Sequence, residues 1–169
     1  MSEVLARWNT LPFDEAAEEI LACCGSKSWA QGMTARRPID DEAALLAAAS
    51  EVWNSLGEAD WMEAFRSHPR IGESHGPGTA SERSAAWSRT EQQRVSAAEE
   101  KVKLALAKGN RAYERRFHRI FIVCAAGKSA PEILEILERR LQNDDETELH
   151  EAAEQQRQIA QVRLRKWLS

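Results

Sequence analysis

The chain has 169 residues, 43% of them hydrophobic and 30% charged, with a formal net charge of −4. That is enough for one domain with its own core, and it carries no Lys/Arg-rich block of the kind that draws a protein to nucleic acid. No apolar run approaches the roughly 20 residues of a membrane span, so neither nucleic acid nor membrane is expected as a partner.

Alanine, leucine and glutamate dominate, with proline and glycine between segments, so the chain reads as all-α, a single-domain bundle of about eight helices over 1–169. A short first helix is expected around Leu5–Trp8. Asp14 is placed to cap a second, running through Cys24 and ended by Gly25. A third, around Ser28–Ala35, stops before Pro38. Asp40 is placed to cap a fourth through Leu56, followed by Gly57, and a fifth runs Glu58–His68. Residues 69–87 read as a long loop. Beyond it, a helix is expected over Arg89–Ala107, closed by Gly109, and a shorter one over Asn110–His118. Ile120–Cys124 is β-prone but has no partner strand, so it reads as a buried extended link. Ser129-Ala130-Pro131-Glu132 is a capping box opening a helix to Leu141, and Glu146–Trp167 is the last and longest helix.

Three cysteines, Cys23, Cys24 and Cys124, sit in apolar stretches with no C-x-x-C pair. This suits a reduced, cytoplasmic setting better than a disulfide framework, and buried thiols make poor nucleophiles. Met1-Ser2-Glu3 shows no signal-peptide pattern, and Trp167-Leu168-Ser169 is not a peroxisomal tripeptide.

Ser67-His68-Pro69-Arg70-Ile71-Gly72-Glu73 places an imidazole where a proline stops a helix. Histidine suits proton transfer near neutral pH, and loops often carry function; a helix-end histidine placed by the C-terminal dipole is the structural alternative. Helical counting puts His68, Ser88, Glu91 and Arg163 on inward faces, and buried charges need a partner. Ser88-Arg89-Thr90-Glu91 is also a capping box, and Arg163 could snorkel to water. Gln156 falls within the last helix's apolar stripe, yet it and Gln92 are expected at the surface or rim. His68, Glu73 and His75 are metal-ligand types, but their spacing matches no strong motif, so no metal is expected. Gly76-Pro77-Gly78 lacks the lysine and Ser/Thr of a phosphate loop.

The motif His68-Pro69-Arg70-Ile71-Gly72-Glu73 is followed in order by Ser88-x-x-Glu91-Gln92 and Gly109-Asn110-x-x-Tyr113-Glu114-x-x-Phe117. Then come Phe121-Ile122-Val123-Cys124-Ala125-x-Gly127-Lys128-Ser129, Arg140-Leu141-x-Asn143, Glu148-Leu149 and Ile159-Ala160-x-x-Arg163-Leu164. This ordered set resembles the OHCU decarboxylases, which act on 2-oxo-4-hydroxy-4-carboxy-5-ureidoimidazoline in urate degradation. The resemblance runs from Trp8-Asn9 to Leu168. It implies an all-α, cofactor-independent carboxy-lyase, usually a homodimer, whose small-molecule substrate is OHCU and whose product is (S)-allantoin. It further implies His68 and Glu91 as catalytic residues, and substrate contacts from Pro69, Ser88, Gln92, Arg163 and the backbone of Ile122, Val123 and Cys124. A metal-dependent hydrolase of a related ureide and a non-catalytic helical scaffold are the alternatives.

Overall fold

The computed structural model describes residues 2–72 and 100–169, and within them the chain forms eight helices and no strand. They are α1 Glu3–Thr10, α2 Phe13–Leu21, α3 Lys27–Ala35, α4 Glu42–Ser55, α5 Glu58–Arg66, α6 Glu100–Phe117, α7 Ala130–Arg140 and α8 Asp145–Leu168. The all-α expectation is met. Residues 73–99, with most of the expected loop and the start of the helix after it, lie outside the described residues.

The chain divides into two compact units, Met1–Ala64 with Arg157–Ser169, and Phe65–Gln156. In the first, α2 packs on α3 and α3 on α4. Its core holds Trp8, Trp29, Leu45 and Leu164, all fully buried. Trp8 and Trp167 meet edge to face with centroids 5.8 Å apart, a favoured aromatic geometry. In the second unit α6 packs on α7. Tyr113, Phe117, Phe121, Ile133 and Leu137 form its centre, with Tyr113 4.7 Å from Phe117 and 5.3 Å from Phe121 between ring centroids.

Several helix ends follow the expected chemistry. Ser129 Oγ accepts the Glu132 N–H at 3.3 Å and donates to its carboxylate at 2.9 Å, so the capping box opens α7. Asp144 Oδ1 accepts the Thr147 N–H at 2.7 Å and opens α8. Others differ. Asp41, not Asp40, caps α4, accepting the Ala44 N–H at 2.8 Å. Asp14 lies in the first turn of α2, where its charge suits the dipole, while Pro12 occupies the cap position.

Gly109 does not end a helix. The helix runs through it to Phe117, where His118 takes a left-handed φ of 57°. The glycine is there for proximity: a Cβ on it would lie 2.5 Å from Leu137 Cδ2, so its missing side chain lets α6 approach α7. The long helix expected to close at Gly109 and the shorter one expected over Asn110–His118 are therefore continuous within the described range.

Candidate active site

His68 stands just past the end of α5, with its backbone N–H donating to the Phe65 carbonyl at 3.2 Å. Pro69 then turns the chain out of the helix, as its steric demand on the preceding residue requires. Both residues are partly buried. The corner is tied to α6 at two places one turn apart. Asn110 Nδ2 donates to the Ile71 carbonyl at 3.0 Å, and Arg70 Nε donates to Glu114 Oε1 at 2.7 Å. Asn110 and Glu114 are i and i+4 on one helical face. Two otherwise unexplained positions of the Gly109–Phe117 motif thus hold the histidine corner.

The His68 ring lies 2.7 Å, Nε2 to Oε1, from Gln156 on α8. Gln156 is fully buried, which corrects the expectation of a rim residue. The helical count had placed it in the apolar stripe; its amide side chain is accommodated there because one end meets the imidazole. The other end, Nε2, is buried and has no hydrogen-bond partner among the described residues.

The neighbouring Gln155 serves the second part of the site, accepting the Cys124 N–H through Oε1 at 2.9 Å. Phe121–Ala125 is buried and belongs to neither helix nor strand, as the isolated β-prone run suggested. Its backbone is heavily engaged: Arg140 Nη1 donates to the Ile122 carbonyl at 2.6 Å and Lys128 Nζ to the Cys124 carbonyl at 2.8 Å. Between them, Val123 is 4% exposed, and among the described residues neither its N–H nor its C=O has a hydrogen-bond partner. Buried backbone groups are nearly always paired, so Val123 presents a donor and an acceptor suited to an amide or ureide.

Arg140 is itself fully buried and neutralised by Glu148, with Nε donating to Oε1 at 2.8 Å. Glu148 also accepts from Tyr113 Oη at 2.6 Å and from Asn143 Nδ2 at 3.0 Å. Burial, then the bond to Glu148, pushes the Tyr113 hydroxyl pKa up, so it remains a neutral donor. The Arg140 guanidinium lies 4.6 Å from the Phe121 ring centroid. The Arg140-x-x-Asn143 and Glu148 motif positions therefore form the support on which the link rests.

The remaining expected residues divide by location. Arg163 belongs to the other unit and is fully buried, so it does not snorkel; Nη1 donates to the Ala22 carbonyl at 3.4 Å. Burial pushes the nearby Cys24 thiol pKa up, with Arg163 pulling the opposite way less strongly. Cys23 and Cys124 are likewise buried thiols outside any disulfide, which makes all three weak nucleophiles. Ser88, Glu91 and Gln92, and the metal-ligand types Glu73 and His75, lie outside the described residues. Among the described residues no three His, Cys, Asp or Glu side chains are grouped to hold a metal ion, and no helix is long and apolar enough to cross a membrane. Sequence reasoning missed Gln155 and misplaced Gln156; the signal available was the position of Gln156 inside the stripe.

A family model described as OHCU decarboxylase matches residues 9–165. The chain is 34% identical over 160 residues to the uric acid degradation bifunctional protein TTL of Arabidopsis thaliana, covering 90% of this chain and 47% of that protein. The chain thus spans about half the length of that curated relative. Among solved structures it is similar to an OHCU decarboxylase crystallised in the presence of (S)-allantoin, with a TM-score of 0.75 and 31% identity over 88% of this chain and 96% of that one. An (S)-allantoin synthase shares the fold at a TM-score of 0.68 and 20% identity, covering 96% of this chain and 53% of that one.

Proposed function

The chain belongs to the OHCU decarboxylase family, and from that membership we propose that it decarboxylates OHCU to (S)-allantoin in urate degradation. The observation that carries this reading is one arrangement within the unit Phe65–Gln156. A corner histidine and a buried link with an open amide edge are held by consecutive side chains of α8. The first can move a proton, and the second can bind a ring rich in N–H and C=O groups.

Loss of CO₂ from OHCU leaves an electron pair that the adjacent C=N and carbonyl groups can delocalise. The protein's task is then to align the breaking C–C bond with that π system, stabilise the developing charge, and protonate one face. In this reading His68, coupled to Glu91, is the acid/base pair that supplies the stereospecific proton. Val123 N–H and C=O, with Ile122 and Cys124 beside them, bind the ring or ureido edge, and Pro69 shapes the corner. Ser88, Gln92 and Arg163 are assigned to substrate oxygens on the resemblance. On the same basis the protein is a cofactor-independent homodimer built on one domain, and its buried thiols, in no disulfide, suit the cytoplasm.

The test is circular dichroism during turnover of substrate generated in place by urate oxidase and HIU hydrolase, with and without EDTA. Rapid growth of an (S)-allantoin signal that EDTA leaves unchanged is expected. Slow, racemic product at the blank rate overturns the activity, and loss of turnover in EDTA overturns the cofactor-independent reading.

A further inference from the structure

We propose that Gln156 is a positioning residue for His68, fixing the ring's orientation and keeping the neutral imidazole protonated at Nε2. This rests on the reading of His68 as the proton-transfer group. Gln156 Oε1 lies 2.7 Å from His68 Nε2, within hydrogen-bond range, and it is an amide oxygen that can only accept. The bond therefore requires a proton on Nε2, which leaves the lone pair of the neutral ring on Nδ1. Reversing the amide would reverse the tautomer, so the two arrangements are distinguishable by where the ring proton sits.

The same residue carries an internal argument against a purely packing role. Gln156 is fully buried, and among the described residues its Nε2 has no hydrogen-bond partner. An unsatisfied buried donor is destabilising, and an apolar side chain of similar size would remove that penalty. A glutamine at this position in the stripe is explained by what its oxygen does for the histidine.

The position also links the two parts of the site. Gln155 accepts from Cys124 N–H at 2.9 Å while Gln156 takes the ring. Successive residues of a helix project about 100° apart, so the link and the imidazole meet α8 on different faces. Their separation is set by a rigid turn of backbone rather than by a loop.

The experiment uses the full chain with ¹⁵N-labelled histidine. Ring nitrogen shifts of His68 report the tautomer, and steady-state kinetics on OHCU report function. In the wild type, His68 is expected to show a protonated Nε2 and an unprotonated Nδ1. Gln156→Leu, with Gln156→Met as a second apolar variant should the first fold poorly, is expected to give mixed tautomers. Its kcat should fall about 10- to 100-fold, as expected for a misplaced catalytic group, with KM changed by no more than about threefold. Gln156→Glu keeps an acceptor and should retain the Nε2–H form. Wild-type protein protonated at Nδ1, or folded apolar variants with unchanged tautomer and kcat, would overturn the proposal. A wild type without decarboxylase activity but with the Nε2–H tautomer overturns the assigned reaction and still supports the hydrogen bond.

Discussion

Arg140 and Glu148 meet with neither side chain exposed, on either side of the turn between α7 and α8. The pair is a junction as well as an ion pair: it joins the Ile122 carbonyl, the Tyr113 hydroxyl and Asn143. Glu148→Leu leaves the guanidinium buried without its counter-charge and should cost about 3–5 kcal/mol, read as a lowered urea midpoint. Replacing both partners, Arg140→Met with Glu148→Leu, should recover most of that loss, because apolar replacement of a buried pair is often neutral. Activity should stay low in the double variant, since the Ile122 carbonyl has lost its anchor. Recovered stability with recovered kcat would show that the link needs no such support.

His68→Asn should reduce kcat by about 10²–10⁴-fold, the usual contribution of a positioned acid or base. The ring is only partly buried, so the thermal midpoint should move little. Full activity in a folded His68→Asn protein would remove the residue from the mechanism.

The two ties holding the histidine corner should differ in strength. Asn110 is 3% exposed and its bond to the Ile71 carbonyl is buried, so Asn110→Ala should cost about 1–3 kcal/mol. Arg70 and Glu114 are 43% and 24% exposed at the side chain, so Arg70→Ala should cost less than about 1 kcal/mol. Chemical denaturation of both variants tests the ranking; equal losses would mean that the solvent-facing ion pair carries the corner.

Acid should loosen the start of α8. The Thr147 N–H holds the Asp144 carboxyl below its usual range, and Arg139 does the same for Glu151 against the opposing effect of burial. Both pKa values are depressed in the folded chain. Their stabilisation is therefore complete above the unfolded-state values of about 4 and is lost as pH falls through the lower folded ones. Thermal midpoints measured between pH 6 and pH 3 should drop, and Asp144→Asn, which keeps an acceptor at the cap, should flatten the slope. An unchanged slope would assign the acid loss to other carboxylates.

Local chemistry was legible along the chain wherever a single residue decides the outcome. Ser129 caps its helix, Pro69 ends the corner, and the run before Gly127 is a buried link because its neighbours supply no partner strand. What local reading could not decide was the choice between equivalents and the identity of distant partners. Asp40 and Asp41 are both competent caps, and only the path of the chain selects Asp41. Gly109 looks like a helix terminator until Leu137 is seen beside it. Gln156 is polar in a stripe, and no pattern in sequence says that an imidazole 88 positions away meets it. The motif residues Asn110, Tyr113, Arg140 and Glu148 stood out by resemblance without roles. Their roles are long-range hydrogen bonds, which spacing along one helix cannot encode.

The buried thiols turn the protein into its own clock for opening. Cys23 and Cys24 lie in one unit and Cys124 in the other, and none is accessible in the closed chain. Alkylating reagents can reach them only as quickly as the surrounding structure parts. Peptide-resolved labelling after brief exposure to denaturant would show whether both units unfold at the same rate or one leads, without adding a probe to the sequence.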